Sequence, residues 1–103
     1  MLKKSVFLSV VLIAPCVFAD DAPEVKALKK GMPQDVMQVI DRTVACNRWR
    51  GEEPTTKDQI EKVNKQLATW QCDTIEADQV ALAKRYNTNY DIKSRVQKAK
   101  DIY

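Results

Sequence analysis

Residues 46–72 read CNRWRGEEPTTKDQIEKVNKQLATWQC, and this stretch holds both tryptophans of the chain between two cysteines. Thr56-Lys57-Asp58-Gln59 is a capping box, in which a threonine side chain and a glutamine three residues later satisfy free N–H groups at a helix start. Ile60, Val63, Leu67 and Trp70 then follow at offsets of three, four and three, the period of one helix face. A helix over 57–71 follows, with Lys57, Glu61, Lys62 and Lys65 on its wet side. Upstream, Pro33 and Asp35 open a helix over 34–49. Its Met37, Ile40 and Val44 form one apolar stripe, and Val36, Val39 and Thr43 a second. Gly51 and Pro54 end it, because one tolerates sharp turns and the other cannot extend the hydrogen-bond ladder.

A disulfide between Cys46 and Cys72 constrains how these two helices meet. In a plain hairpin Cys46 would sit opposite roughly residue 60, about 18 Å from Cys72 at about 1.5 Å per residue. A disulfide requires Cα atoms within about 7 Å. The segment 50–56, about 20 Å long if extended, therefore has to run back along the second of these helices. The expected arrangement is crossed, with the staple at one end.

Working outward, Asp21-Ala22-Pro23-Glu24 reads as a helix start and Lys29-Lys30-Gly31 as a stop, giving a short helix over 22–30 with Val25 and Leu28 inward. Asp73-Thr74-Ile75-Glu76 reads as a second capping box, opening a helix over 74–86 with Ile75, Val80, Leu82, Ala83 and Tyr86 as buried candidates. Asn87-Thr88-Asn89 favours a turn. A last helix over 91–101 carries Ile92, Val96 and Ala99 on one face and basic Arg95, Lys98 and Lys100 on the other, with Tyr90 closing the core. There is no strand alternation and no internal repeat. The expectation is an all-α, small irregular bundle of four to five short helices, one domain over 20–103, stapled by one disulfide.

The first nineteen residues read as a secretory signal peptide: Lys3 and Lys4, an apolar run from Val6 to Ala14, then Val17-Phe18-Ala19 before the acidic Asp20. The run is too short for a membrane anchor. Cys16 follows Pro15, a poor context for lipid attachment. Removing 1–19 takes away two lysines and no carboxylate, so the net charge of +3 falls to +1. A nearly neutral exported chain gives no reason to expect nucleic acid as a partner. Export also favours a lasting Cys46–Cys72 disulfide. A redox pair would have its cysteines two residues apart at a helix start.

The chain contains no histidine. That removes the commonest general base near neutral pH and the commonest metal ligand. Ser94 therefore has no base to activate it. Carboxylate pairs at Glu52-Glu53 and Glu76/Asp78 have no cleft wall around them, as glycoside hydrolysis requires. Asn87-x-Asn89-x-Asp91 begins like a calcium loop, but Ile92 and Lys98 stand where glycine and a bidentate glutamate are needed. No catalytic residue, metal or cofactor is expected. Arg48, Trp49, Arg50, Glu52 and Glu53 do concentrate an aromatic, two guanidinium groups and two carboxylates at one turn, the composition of a protein-binding hot spot. The outline resembles several periplasmic groups, namely acid-stress chaperones, inhibitors of host lysozyme and immunity proteins, without sharing a motif with them.

The functional expectation is a non-enzymatic periplasmic module that binds a protein of the cell envelope. The alternatives are a periplasmic stress chaperone and a small cell-envelope hydrolase.

Overall fold

A computed structural model describes residues 22–103. The leader-like residues 1–19, and Asp21 as the expected cap of the first helix, lie outside these. The described chain is an all-α bundle of five helices: α1 Pro23–Lys29, α2 Gln34–Arg50, α3 Lys57–Thr69, α4 Ile75–Arg85 and α5 Tyr90–Lys100. No strand occurs among the described residues. A single 3-10 turn, Cys72–Thr74, joins α3 to α4.

Helix α2 is the hub, since α1, α3, α4 and α5 all pack against it. Its two apolar stripes explain this, because a broad apolar face has to be covered from several sides. Val36, Val39, Ile40 and Val44 meet Val25 of α1, Leu82 of α4 and Ile92, Val96 and Ala99 of α5 in one core. Leu28, Met32, Tyr86 and Ile102 close its edges. A second, smaller cluster of Cys46, Cys72 and Ile75, with Leu67 and Trp70 against it, lies at the other end of α2.

One polar contact crosses the core. Gln79 Nε2 donates to Thr43 Oγ1 at 2.8 Å, and both residues are buried. The bond offsets the cost of taking two polar groups out of water.

Four sequence expectations are overturned here. Val80 and Ala83 of α4, expected in the core, are exposed, because only the Ile75–Gln79–Leu82 side of that helix faces α2. Tyr90 is 83% exposed and closes nothing, because it sits at the first position of α5, outside the Ile92–Val96–Ala99 face. Arg95 is not part of a wet basic face: its Nη1 donates to the carbonyls of Ala27, Leu28 and Lys30 at 3.0–3.1 Å and so finishes the end of α1. The capping box at Asp73 does not form. The 3-10 turn places Thr74 at the cap of α4 with no side-chain capping bond, and Glu76 turns instead to Arg50.

Other signals hold. Gly31 takes φ +74 and stops α1. Thr56 and Gln59 form the reciprocal capping box at α3. At the far end of the chain, Asn47 Nδ2 of α2 donates to the carbonyls of Lys100 and Ile102 at 3.0 and 3.1 Å, fixing the last turn of α5.

Candidate interaction site

The site is built on the last three turns of α2. Arg42, Cys46 and Arg50 recur every four residues and therefore share one face of that helix. All three grip the junction between α3 and α4. Cys46 and Cys72 form the disulfide, with a Cα separation of 5.6 Å. Arg42 donates from Nε to the carbonyl of Trp70 at 3.0 Å, from Nη2 to the carbonyl of Gln71 at 2.9 Å and from Nη1 to Asp78 at 2.8 Å. Arg50 donates to the carbonyl of Cys72 and to Glu76 at 2.6 Å.

The junction needs this support. Gln71 is left-handed, at φ 52 and ψ 50, a conformation that costs a residue bearing a Cβ about 1 kcal/mol or more. It reverses the chain tightly enough to bring Cys72 back onto α2.

These contacts set the register of α3. The Lys62 ammonium lies 5.9 Å from the Trp49 ring centre, while Arg42 reaches Trp70 and Gln71. Since α2 ends at Arg50, the first turn of α3 and the segment 51–56 project beyond it as an arm. The staple is thus accommodated by displacing α3 along α2, with 51–56 spanning the overhang.

The arm leaves apolar surface open. Despite the clean periodicity of Ile60, Val63, Leu67 and Trp70, none of the four is fully buried, and Ile60 is 46% exposed. The pattern fixes which face of α3 is apolar, but the overhang removes the helix that would cover its first half. Trp49 sits half-buried at the base of the arm, with the Arg48 guanidinium 5.3 Å from its ring centre and Lys62 on the ring as well. Glu52 and Glu53 are exposed on the extended segment. An open groove of about 690 Å³ runs along Leu67, Ala68 and Cys72, with Arg50 at its edge.

The expected hot-spot residues therefore divide. Arg48, Trp49, Glu52 and Glu53 lie at the base and outer side of the arm, whereas Arg50 is committed to Cys72 and Glu76. Sequence reading missed Arg42 and Lys62. The four-residue spacing of Arg42 and Arg50 about Cys46 was the available signal for the first. Lys62 borders the apolar stripe of α3, which brings its charge over the Trp49 ring.

The two carboxylate pairs are not equivalent. Glu76 and Asp78 are each occupied by an arginine of α2. The hydrogen bond from Arg50 is the main cause holding the Glu76 carboxyl below the usual range, with burial opposing it. For Asp35, burial pushes upward, but hydrogen bonds from Arg85, Tyr86 and the Val36 N–H outweigh it, and the net direction is also down.

A lowered folded-state pKa contributes stability above the unfolded value and loses it as pH falls through the folded one. Stability is therefore expected to be level from neutral to about pH 5 and to fall below about pH 4. Urea midpoints at pH 7, 4 and 3 check this, and Glu76→Gln should flatten the acid limb. A midpoint that rises on acidification contradicts it.

Among the described residues, no cluster of three or more cysteines or carboxylates is placed to hold a metal ion, and no helix is long and apolar enough to cross a membrane. No family model, characterised protein or solved structure matches the chain.

Proposed function

We propose that the chain is an exported, non-enzymatic module that binds a protein partner through the arm, with Arg48 and Trp49 at its base, Glu52 and Glu53 on its extended segment and the open apolar face at the start of α3. The observation that carries the reading is the overhang: an amphipathic, well-capped helix with no fully buried residue, an exposed Ile60 in its first turn, and a cation-flanked tryptophan at the base of the arm. Aromatic and aliphatic anchors ringed by arginines and carboxylates are the usual makings of an interface centre. Export is supported by the leader pattern of 1–19 and by a staple suited to an oxidising compartment. The non-enzymatic reading is supported by the missing histidine and by the arginines that occupy Glu76 and Asp78. A hydrolase acid requires a raised carboxyl, and both shifted carboxyls move the other way.

The test is crosslinking in the intact cell envelope followed by mass spectrometry. A defined partner is expected with the native chain, and Trp49→Ala or Ile60→Asp should lower its recovery at least about tenfold, the effect of losing one interface anchor. Recovery of the protein alone, unchanged by Trp49→Ala, overturns the reading.

A stress-chaperone reading is favoured by one observation: the anchor of the α3–α4 junction on α2 runs partly through Arg50–Glu76, a pair that acid weakens. It requires that a dye for apolar surface bind increasingly from pH 7 to pH 2 while the protein suppresses aggregation of an unfolded client. A simple binding module gains no such activity.

A further inference from the structure

Helices α4 and α5 both pack on α2 but hardly on each other. Between them lies a notch of about 150 Å³, on the opposite element pair from the arm. Its floor is Leu82, Ile92 and Val96, all members of the main core and all buried. Ala83 forms part of one wall, and Lys93 and Lys100 stand on the other. No carboxylate lines it.

Size restricts what fits. An apolar cavity of about 150 Å³ accepts one benzene-sized group, whereas pockets for metabolites and cofactors start at roughly 300 Å³. The notch therefore takes a single leucine or phenylalanine side chain. Its surroundings extend the apolar surface beyond that one insertion. Val80 is 56% exposed one turn before Ala83, and Tyr90 is 83% exposed one turn before Lys93.

Charge restricts the occupant further. Lys93 Nζ reaches the carbonyl of Asn87 at 3.4 Å, a contact that leaves its positive charge unneutralised. Lys100 lies close enough to act on Glu76, but that carboxylate is already bound by Arg50. The rim is thus cationic around an apolar floor.

We infer that this notch is a second docking point, which accepts one apolar side chain of an acidic segment in a partner protein and sets the flanking carboxylates against Lys93 and Lys100. An acidic lipid combines an anionic headgroup with an apolar tail, but its acyl chain needs a longer trough than the notch provides. The inference is independent of the arm, since the two surfaces share no residue.

The test uses the isotopically labelled protein and an acetylated, amidated Glu-Glu-Phe-Glu-Glu peptide, read by amide chemical shifts. Saturable shifts are expected at Leu82, Ile92, Lys93 and Val96. Replacing the peptide's phenylalanine with alanine should weaken binding at least about tenfold, the value of one buried aromatic side chain. Lys93→Glu with Lys100→Glu should weaken it about tenfold by turning attraction into repulsion. Ala83→Trp, an exposed position whose new ring fills the notch, should abolish it. The inference is overturned if the peptide gives no saturable shift, if Lys-Lys-Phe-Lys-Lys binds as well, or if the shifts fall on the arm. It is overturned too if vesicles containing phosphatidylglycerol move the same resonances while the peptide does not.

Discussion

A Cys46→Ala/Cys72→Ala double variant is expected to lose about 3–4 kcal/mol of stability, the chain-entropy value for a loop closed across a sequence separation of 26. That is a large share of the roughly 5–15 kcal/mol available to a domain of ordinary stability. The loss should also be uneven. The disulfide lies outside the main core, in the small cluster that also holds Leu67 and Trp70, and α3 has no fully buried residue of its own. Without the staple, α3 keeps its half-buried contacts, the Lys62–Trp49 contact and the arginine bonds at the junction. Hydrogen exchange should therefore speed up first over residues 57–70, while α2, Leu82 and Val96 stay protected in conditions where the variant is still folded. Urea denaturation measures the total and exchange measures its distribution. A loss below about 1 kcal/mol, or a uniform rise in exchange, would contradict the two-cluster architecture.

Arg42→Ala should cost roughly 2–4 kcal/mol, more than any other single charged residue of the junction. The side chain is largely buried, at 17% exposure, and satisfies two carbonyls of a tight reversal as well as Asp78. Truncation strips the Trp70 and Gln71 carbonyls of these donors in a partly desolvated place. Two controls separate the carbonyl contacts from the ion pair. Asp78→Asn, which keeps the shape and removes only charge, should cost under about 1 kcal/mol. Arg42→Lys should recover little, because an ammonium cannot spread donors over two carbonyls and a carboxylate as a planar guanidinium does. Combined with loss of the disulfide, Arg42→Ala should cost less than the sum of the two, since both act on the same reversal. Denaturant midpoints across this set decide the matter. An Asp78→Asn loss as large as that of Arg42→Ala would assign the effect to the ion pair instead.

The extent to which the fold was legible follows from the kind of information each feature needs. Helix positions come from local signals, and Pro23, Gly31, Thr56 with Gln59, and Gly51 act within a turn of themselves; the observed helices stay within two residues of their expected ends. The staple was legible because, with Cys16 assigned to the leader pattern, the two remaining cysteines leave a single pairing. What each face meets is a different matter. Ile60 and Val80 lie on apolar faces, yet both are exposed, because periodicity orients a side chain without supplying a neighbour. Gln79 is buried although polar, since Thr43 waits 36 residues upstream. Arg50 looked like a recognition residue and Arg95 like solvent-facing charge. Both are long side chains whose partners are distant in sequence, and only the packing of α2 and α1 brings those partners within reach. The arm is the mixed case: Trp49, Glu52 and Glu53 were visible as a concentration of residue types, but the overhang that exposes them arises from the register imposed by Gln71 and the disulfide.

The C-terminal ends of α1, α3 and α5 are finished from elsewhere in the chain. Arg95 closes α1, Asn47 closes α5, and Arg42 with Arg50 closes the turn after α3. Such ends cannot be completed while a segment is still alone, so early folding should produce frayed helices whose C-termini zip up only on docking. The rate-limiting step then belongs to the assembly of all partners on α2, and excised peptides spanning α1 or α5 should remain largely coil in water.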